Sequence, residues 1–161
     1  MEIEIFGKID PNNPEEYYEG TVTLDGNSVE IDLNFESEEI EEEVMASVSD
    51  FLKSLDKFAK KAFDEISKDY DLGEESETAR FYLQHHIDES SEDELKDVFG
   101  TLDIDKETYF KALSLQRIGL YPEDDESFAV FDIQLPEDFT NYLMAVTFDD
   151  SGELSYISMD S

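Results

Sequence analysis

The chain contains no cysteine and no tryptophan, and basic residues are scarce. Without cysteine there is no disulfide framework, no thiolate nucleophile and no cysteine metal site, which favours a reducing compartment. Uninterrupted apolar runs of about eighteen residues are also missing, so no membrane-spanning segment is predicted. The first residues lack the basic start and apolar core of a secretory signal, and we therefore expect a cytoplasmic protein.

The shortage of basic residues is the most unusual feature of the composition. Eleven Lys and Arg stand against 44 Asp and Glu, which gives a formal net charge of −33 at pH 7. Phosphate groups are bound by clustered Lys and Arg, so direct binding to nucleic acid or to an anionic membrane is disfavoured. The charge favours a basic protein as partner. The same acidity also serves solubility, and it specifies neither the partner's identity nor an oligomeric state.

The chain does contain enough apolar material for one core. Its 161 residues are 39% hydrophobic and 12% aromatic, which is more than a disordered acidic segment contains. A length of this order is typical of one domain, so residues 1–161 are predicted to form a single domain.

Alternating apolar residues predict strands in the first third of the chain. Residues 2–7 form a short candidate strand, and residues 18–24 and 28–35 form two more. Asp25-Gly26-Asn27 joins the last two, and Asp-Gly between alternating runs is a strong hairpin signal.

The central third shows helical periodicity. Apolar residues spaced by three and four predict one long helix from Glu38 to a stop at Asp71-Leu72-Gly73, with Ser37 as its N-cap and with acidic residues in its first two turns. Gly73 is suited to the stop after it. Further helices are predicted over residues 76–87, with Phe81 among the inward candidates, over residues 91–99 from a capping box at Ser91, and over residues 106–113.

Strand patterns return in the last third, over residues 114–121, 127–135, 141–149 and 154–159. Strands, helices and strands thus follow one another in blocks. This order predicts an α+β fold with a mainly antiparallel sheet, built from strands of both the N- and C-terminal thirds and packed on one face by a central helical segment.

No motif for catalysis or for a cofactor is present, so catalytic residues, metal ligands and cofactors are all predicted to be none. There is no Gly-rich phosphate loop and no Gly-x-Ser-x-Gly elbow. His85 and His86 are adjacent, so on a helix they diverge by about 100° and are poorly placed to share a metal; we expect them on a solvated helix surface. Arg80 and Arg117 are expected to pair with carboxylates at a helix or sheet edge.

Five segments carry a resemblance to a known family: Phe6-Gly-Lys-Ile-Asp10, Glu15-Glu-Tyr-Tyr18, Ile31-Asp-Leu-Asn-Phe35, Arg117-Ile-Gly-Leu-Tyr-Pro122 and Asn141-Tyr-Leu-Met-Ala-Val-Thr-Phe148. Together they resemble a family of small acidic bacterial proteins described only as a domain of unknown function. The resemblance covers nearly the whole chain, implies a bacterial cytosolic protein and supplies no active site. In size and charge the chain is also similar to the immunity proteins of bacterial toxin systems.

The leading hypothesis is an acidic binding module that docks a basic partner and could neutralise a toxin by covering its basic cleft. One alternative is a small-molecule or metal-handling enzyme whose carboxylates converge in a cleft. Another is an acidic scaffold or oligomer with no charge-specific role. The candidate partner-binding residues are Glu36, Glu38, Glu39, Glu41, Glu42 and Glu43 together with Glu123, Asp124, Asp125 and Glu126.

Overall fold

The structure, a computed structural model, describes residues 2–3 and 5–161. Two residues of the N-terminal segment, Met1 and Glu4, lie outside the described residues, and Glu4 belongs to the first predicted strand. The elements are β1 (Glu2–Ile3), β2 (Gly7–Lys8), β3 (Tyr17–Leu24), β4 (Asn27–Asn34), α1 (Glu42–Leu52), α2 (Leu55–Asp71), a 3₁₀ turn (Gly73–Glu75), α3 (Ala79–Glu89), α4 (Glu92–Phe99), α5 (Lys106–Ala112), β5 (Ser114–Leu120), β6 (Ala129–Gln134), β7 (Leu143–Phe148) and β8 (Leu154–Asp160).

Strands β3 to β8 form one six-stranded sheet in sequence order, and β1 and β2 form a separate two-stranded sheet. Neighbouring strands are antiparallel except for β4 and β5, which are parallel and pair Glu30 with Arg117 and Leu33 with Leu120. All five helices lie between β4 and β5 in the chain, because parallel neighbours need a crossover connection. The predicted α+β fold with a mainly antiparallel sheet is confirmed.

One face of the large sheet carries the core, and we call it the helical face. Side chains alternate across a strand, so Ile31, Ile118 and Phe131 share this face across three neighbouring strands and are fully buried. Helices α1 and α2 reach it through aromatic contacts: Phe51 contacts Phe131, with ring centroids 6.2 Å apart, and Phe58 contacts Phe148, 5.9 Å apart. From α5, the Tyr109 hydroxyl lies 3.8 Å from the sulfur of Met144.

The predicted hairpin between β3 and β4 is confirmed in detail. Leu24 pairs with Asn27, which leaves Asp25 and Gly26 as a two-residue loop. Both have positive φ, 50° and 79°, as a type I′ turn requires. An Asp-Gly pair tolerates this backbone because glycine has no Cβ and aspartate visits the left-handed region more readily than most residues.

The prediction of one strand over residues 2–7 is wrong. The chain reverses at residues 5 and 6, so that Ile3 pairs with Gly7 in an antiparallel hairpin. Gly7 has a φ of 80°, a conformation that costs other residues free energy. The hairpin packs closely on β3: a Cβ added at Gly20 would lie 2.7 Å from the carbonyl oxygen of Ile5.

The prediction of one uninterrupted helix from Glu38 to the stop at Asp71-Leu72-Gly73 is also wrong. The helix begins at Glu42, with Glu41 as N-cap, and is interrupted after Leu52, where Ser54 leaves the helical region at φ −119° and ψ 22°. The apolar stripe continues through the interruption, since the rings of Phe51 and Phe58 stack 4.6 Å apart on either side of it. Both helices can therefore direct apolar residues to the sheet.

Capping explains where the remaining helices begin. Ser91 and Glu94 form the predicted capping box, and α4 ends at Gly100, whose φ is 76°. Helix α3 begins at Ala79, where the carboxylate of Asp69 in α2 accepts from the Ala79 amide at 2.7 Å. The prediction of an inward Phe81 is wrong, because its side chain is 59% exposed.

Candidate functional site

The two predicted acidic segments meet in space, although the contacting residues Glu36 and Glu123 are 87 positions apart in the chain. We refer to residues 36–43 and 123–126 as the acidic loops. The carboxylate of Glu123 accepts hydrogen bonds from the backbone amide of Glu36 at 2.6 Å and from that of Ser37 at 3.3 Å. Such charge-assisted bonds to backbone amides fix the position of one loop relative to the other.

Residues 36–43 form an irregular segment with a bend at residues 37–39 and continue into the first turn of α1. Ile40 anchors this segment, since its side chain is buried and its amide donates to the carbonyl oxygen of Pro11 at 2.7 Å. The glutamates around it face solvent, and only the last two lie in the first turn of α1, where a negative charge is favourable. All six predicted glutamates of this loop are exposed: Glu36, Glu38, Glu39, Glu41, Glu42 and Glu43.

Residues 123–126 form part of the β5–β6 connection and are held in place by hydrogen bonds from backbone amides. Asp124 accepts from the amides of Glu126 and Ser127 at 3.0 and 3.1 Å, as turn aspartates do. The carbonyl oxygen of Asp125 accepts from Asp150 at 2.9 Å, in the turn between β7 and β8. Asp124, Asp125 and Glu126 are exposed, whereas Glu123 is half-buried.

The turn after β7 adds further negative charge to the same end of the sheet. Asp149 accepts from the side chain of Ser151 at 2.6 Å and from the amide of Glu153 at 3.0 Å. These hydrogen bonds, that from the Ser151 hydroxyl above all, lower the pKa of Asp149 below its usual value. Three acidic turns or loops therefore lie together at one end of the large sheet.

An open groove of ≈ 780 Å³ lies between the acidic loops and the N-terminal end of β3. Its acidic lining comes from both loops and from Glu16, and its aromatic lining includes Tyr17 and Tyr121. Tyr17 is 48% exposed. Aromatic side chains beside carboxylates suit the binding of Lys or Arg, because a cation is attracted both by the ring face and by the carboxylate.

Ion pairs within the chain leave the acidic loops uncompensated. The basic partners in these pairs are Lys68, Lys106, Lys111 and Arg117. In the part of the chain that the structure describes, the carboxylates paired with a basic side chain are Asp32, Glu65, Asp71, Glu107 and Asp132, and none belongs to the acidic loops.

A second polar cluster lies on the sheet, and sequence reasoning identified only its arginine. Arg117 donates to Asp32 through Nε at 2.6 Å and through Nη2 at 2.8 Å, and its Nη1 lies 3.3 Å from Asp132. The hydroxyl of Tyr121 accepts from Nη2 at 3.0 Å. Glycine at 119 gives the guanidinium room, because a Cβ there would lie 2.8 Å from Nη2. Strand alternation in β4 is the sequence signal that could have placed Asp32 opposite the apolar side of its strand.

Burial and ion pairing shift the pKa values of this cluster in opposite directions. Burial raises the pKa of the Asp132 carboxyl, and the charge of Arg117 works against this. For Arg117, burial works to lower the pKa, but the hydrogen bonds with Asp32 and Tyr121 outweigh it and the pKa is raised. The predicted pairing with carboxylates is confirmed for Arg117. It is wrong for Arg80, which donates to the carbonyl oxygen of Tyr70 at 2.6 Å and stacks over the ring of the same residue, 4.1 Å from its centroid.

The expectation of two solvated histidines is wrong for one of them. His86 is buried: its Nδ1 bonds to the carbonyl oxygen of Tyr82 at 2.7 Å and its Nε2 to the Thr140 hydroxyl at 2.8 Å. Because a carbonyl only accepts, Nδ1 carries the proton and Nε2 accepts from Thr140. Burial lowers the pKa of His86. His85 is half-exposed and contacts the ring of Tyr142.

Among the described residues, no group of three or more His, Asp or Glu side chains is arranged to hold a metal ion. Within the same part of the chain, no helix has both the length and the apolar character needed to cross a membrane. No protein-family model, curated protein or solved structure matches the chain.

Proposed function

We propose that the protein is an acidic binding module that docks a basic partner protein through the acidic loops. The observation that carries this proposal is the contact of the Glu123 carboxylate with the amides of Glu36 and Ser37, which joins two distant acidic segments into one surface. Among the described residues, no carboxylate of this surface belongs to an ion pair. Apart from Glu123 and Asp124, which hold the loop backbone, these carboxylates can pair with a partner's Lys and Arg.

Charge and apolar contact have separate roles in such docking. A net charge of −33 steers a basic partner and raises the rate of encounter, an effect that salt weakens. Affinity that persists at physiological salt needs desolvated anchors, for which Tyr and Trp are the common residues. Tyr17 and Tyr121 in the groove provide them. One basic partner that fits this surface is a toxin with a basic cleft. The protein would neutralise it by covering that cleft, as an immunity protein does.

The test removes charge from the acidic loops without touching the hydrogen bonds that shape them. Glu123 and Asp124 stay, because they hold the loop backbone. The loop variant replaces six other carboxylates by amides: E36Q, E38Q, E39Q, E42Q, D125N and E126Q. A control variant removes the same number of charges from exposed positions elsewhere: E74Q, E75Q, E77Q, E89Q, D97N and D103N.

Affinity capture from a lysate of the source cell, at low and at about physiological salt, compares the two variants with the unmodified chain. We expect a basic protein that the unmodified chain and the control variant retain and that the loop variant loses. Equal retention by both variants would contradict docking through the acidic loops and would favour an acidity that serves solubility alone.

A further inference from the structure

The face of the large sheet opposite the helical face, which we call the open face, carries all the charged residues of strands β3 to β8. By the strand register, Glu19 and Asp32 face the same way, as do Glu30, Arg117 and Asp132. The helix contacts described above reach the other face. The six strands contain five carboxylates and one basic residue, Arg117, and the carboxylates are Glu19, Glu30, Asp32, Asp132 and Asp160.

The single guanidinium on this face is mostly committed to one carboxylate. Asp32 takes two of its nitrogens at 2.6 and 2.8 Å, whereas Asp132 is reached by one nitrogen at 3.3 Å. The Asp132 side chain is also only 13% exposed, so it shares a cation while having lost most of its contact with water. The buried cluster holds two carboxylates against one guanidinium and is thus one positive charge short.

Space for that missing charge lies beside Asp132. An open groove of ≈ 350 Å³ is lined by Asp132 and Arg117, and by two further carboxylates, Glu30 and Glu137. The amide of Gln134 and the side chain of Leu143 complete one side of it. A Lys or Arg side chain entering this groove would pack its stem against Leu143 and present its charge to three carboxylates.

We propose that the open face docks a basic segment of the partner protein, and that one Lys or Arg side chain of that segment pairs with Asp132 in this groove. Complementary charge identifies the occupant, since the face offers carboxylates in excess of its one arginine. The inference rests on the proposed function and deepens it. Tyr17 and Asn34 lie on the open face and Tyr121 contacts Arg117 there, and all three also line the groove of the acidic loops, so one partner can cover both surfaces.

The probe for this site is a ten-residue synthetic peptide of alternating Arg and Thr, titrated into the isotope-labelled chain by NMR at about physiological salt. Asp132→Asn keeps the shape of the side chain and removes its charge, and Asp103→Asn makes the same change at an exposed loop position. We expect Asp132→Asn to raise the peptide Kd about 10-fold, the effect of one charge-assisted hydrogen bond, and Asp103→Asn to raise it less than about 2-fold. Amide shifts should centre on β5 and β6.

Glu30→Gln is a second test variant for the case in which Asp132→Asn does not fold. Glu30 is exposed, so its substitution should leave the fold intact, and we expect it to weaken peptide binding as well. Equal weakening by Asp132→Asn and Asp103→Asn would overturn the open-face proposal. If the six-residue loop variant still weakened binding far more than the six-residue control variant, docking through the acidic loops would stand and only the open-face proposal would fail. Selective weakening by Asp132→Asn with an inert loop variant would support the open face and overturn docking through the acidic loops.

Discussion

Gly119→Ala should destabilise the protein by displacing Arg117 and not by straining the backbone. A methyl group at this position would lie 2.8 Å from Nη2 of Arg117 and 3.1 Å from the ring and hydroxyl of Tyr121. Nη2 donates to Asp32 at 2.8 Å and to Tyr121 at 3.0 Å. The guanidinium is the mobile end of a long side chain, so it moves away and both hydrogen bonds weaken.

The magnitude follows from those two bonds. Hydrogen bonds to charged groups contribute about 1.5–3 kcal/mol each when buried. The Arg117 side chain is 34% exposed and the two bonds weaken without breaking, so together they lose about 2–2.5 kcal/mol. Replacing glycine by alanine within a strand returns about 0.5–1 kcal/mol of conformational entropy. We therefore expect Gly119→Ala to lower the free energy of unfolding by about 1–2 kcal/mol.

Urea unfolding followed by far-ultraviolet circular dichroism measures this change, since the chain has no tryptophan to report by fluorescence. The control is a background in which Arg117→Met is combined with Asp32→Asn and Asp132→Asn, so that no unpaired charge is left. In this background Gly119→Ala should raise the free energy of unfolding by about 0.5–1 kcal/mol, the conformational entropy that alanine returns. An equal loss in both backgrounds would show that the methyl group strains the strand itself, and the reasoning would be refuted.

Three other changes test other contacts. Gly20→Ala should cost more than Gly119→Ala, above about 2 kcal/mol by urea unfolding, because its methyl group meets the backbone of Ile5 at 2.7 Å and not a mobile side chain; an unchanged midpoint would contradict the close packing of the hairpin. Asp69→Ala should lose about 2 kcal/mol, since Asp69 accepts from the amide of Ala79 and caps α3; a loss below about 0.5 kcal/mol would argue against the cap. Because burial lowers the pKa of His86, the folded protein binds its proton less readily than the unfolded chain, so this contribution to stability is complete above about pH 6.5 and declines as the pH falls below it. Unfolding midpoints between about pH 8 and about pH 5 should therefore show a decline that His86→Gln removes and that His85→Gln retains, and parallel curves for both variants would contradict the burial of His86.

Local patterns predicted the elements that local chemistry determines. The Asp25-Gly26 turn and the Ser91 capping box depend on residues within a few positions of one another, and both were confirmed. The interruption at Ser54 was missed because the apolar stripe continues through it with helical spacing. The reversal before Gly7 was missed because alternating Glu and Ile also fit an uninterrupted strand.

The candidate site was predictable only in part, because its geometry is made by contacts distant in the chain. Composition singled out the acidic loops, but their meeting depends on Glu123 reaching the amides of Glu36 and Ser37. The cluster on the open face needs the parallel pairing of β4 with β5, which brings Asp32 beside Arg117 across 85 positions. No spacing rule in one sequence specifies that pairing.

The parallel pairing of β4 with β5 also has a consequence during synthesis. About 80 residues separate the two strands, and closing a loop of that length costs about 4 kcal/mol of chain entropy. The ribosome releases the β3–β4 hairpin well before β5, whereas β5 to β8 follow one another through short connections. The nascent hairpin therefore exposes an unpaired strand edge until residues near 120 emerge, and this interval is when the chain is most open to pairing with another strand.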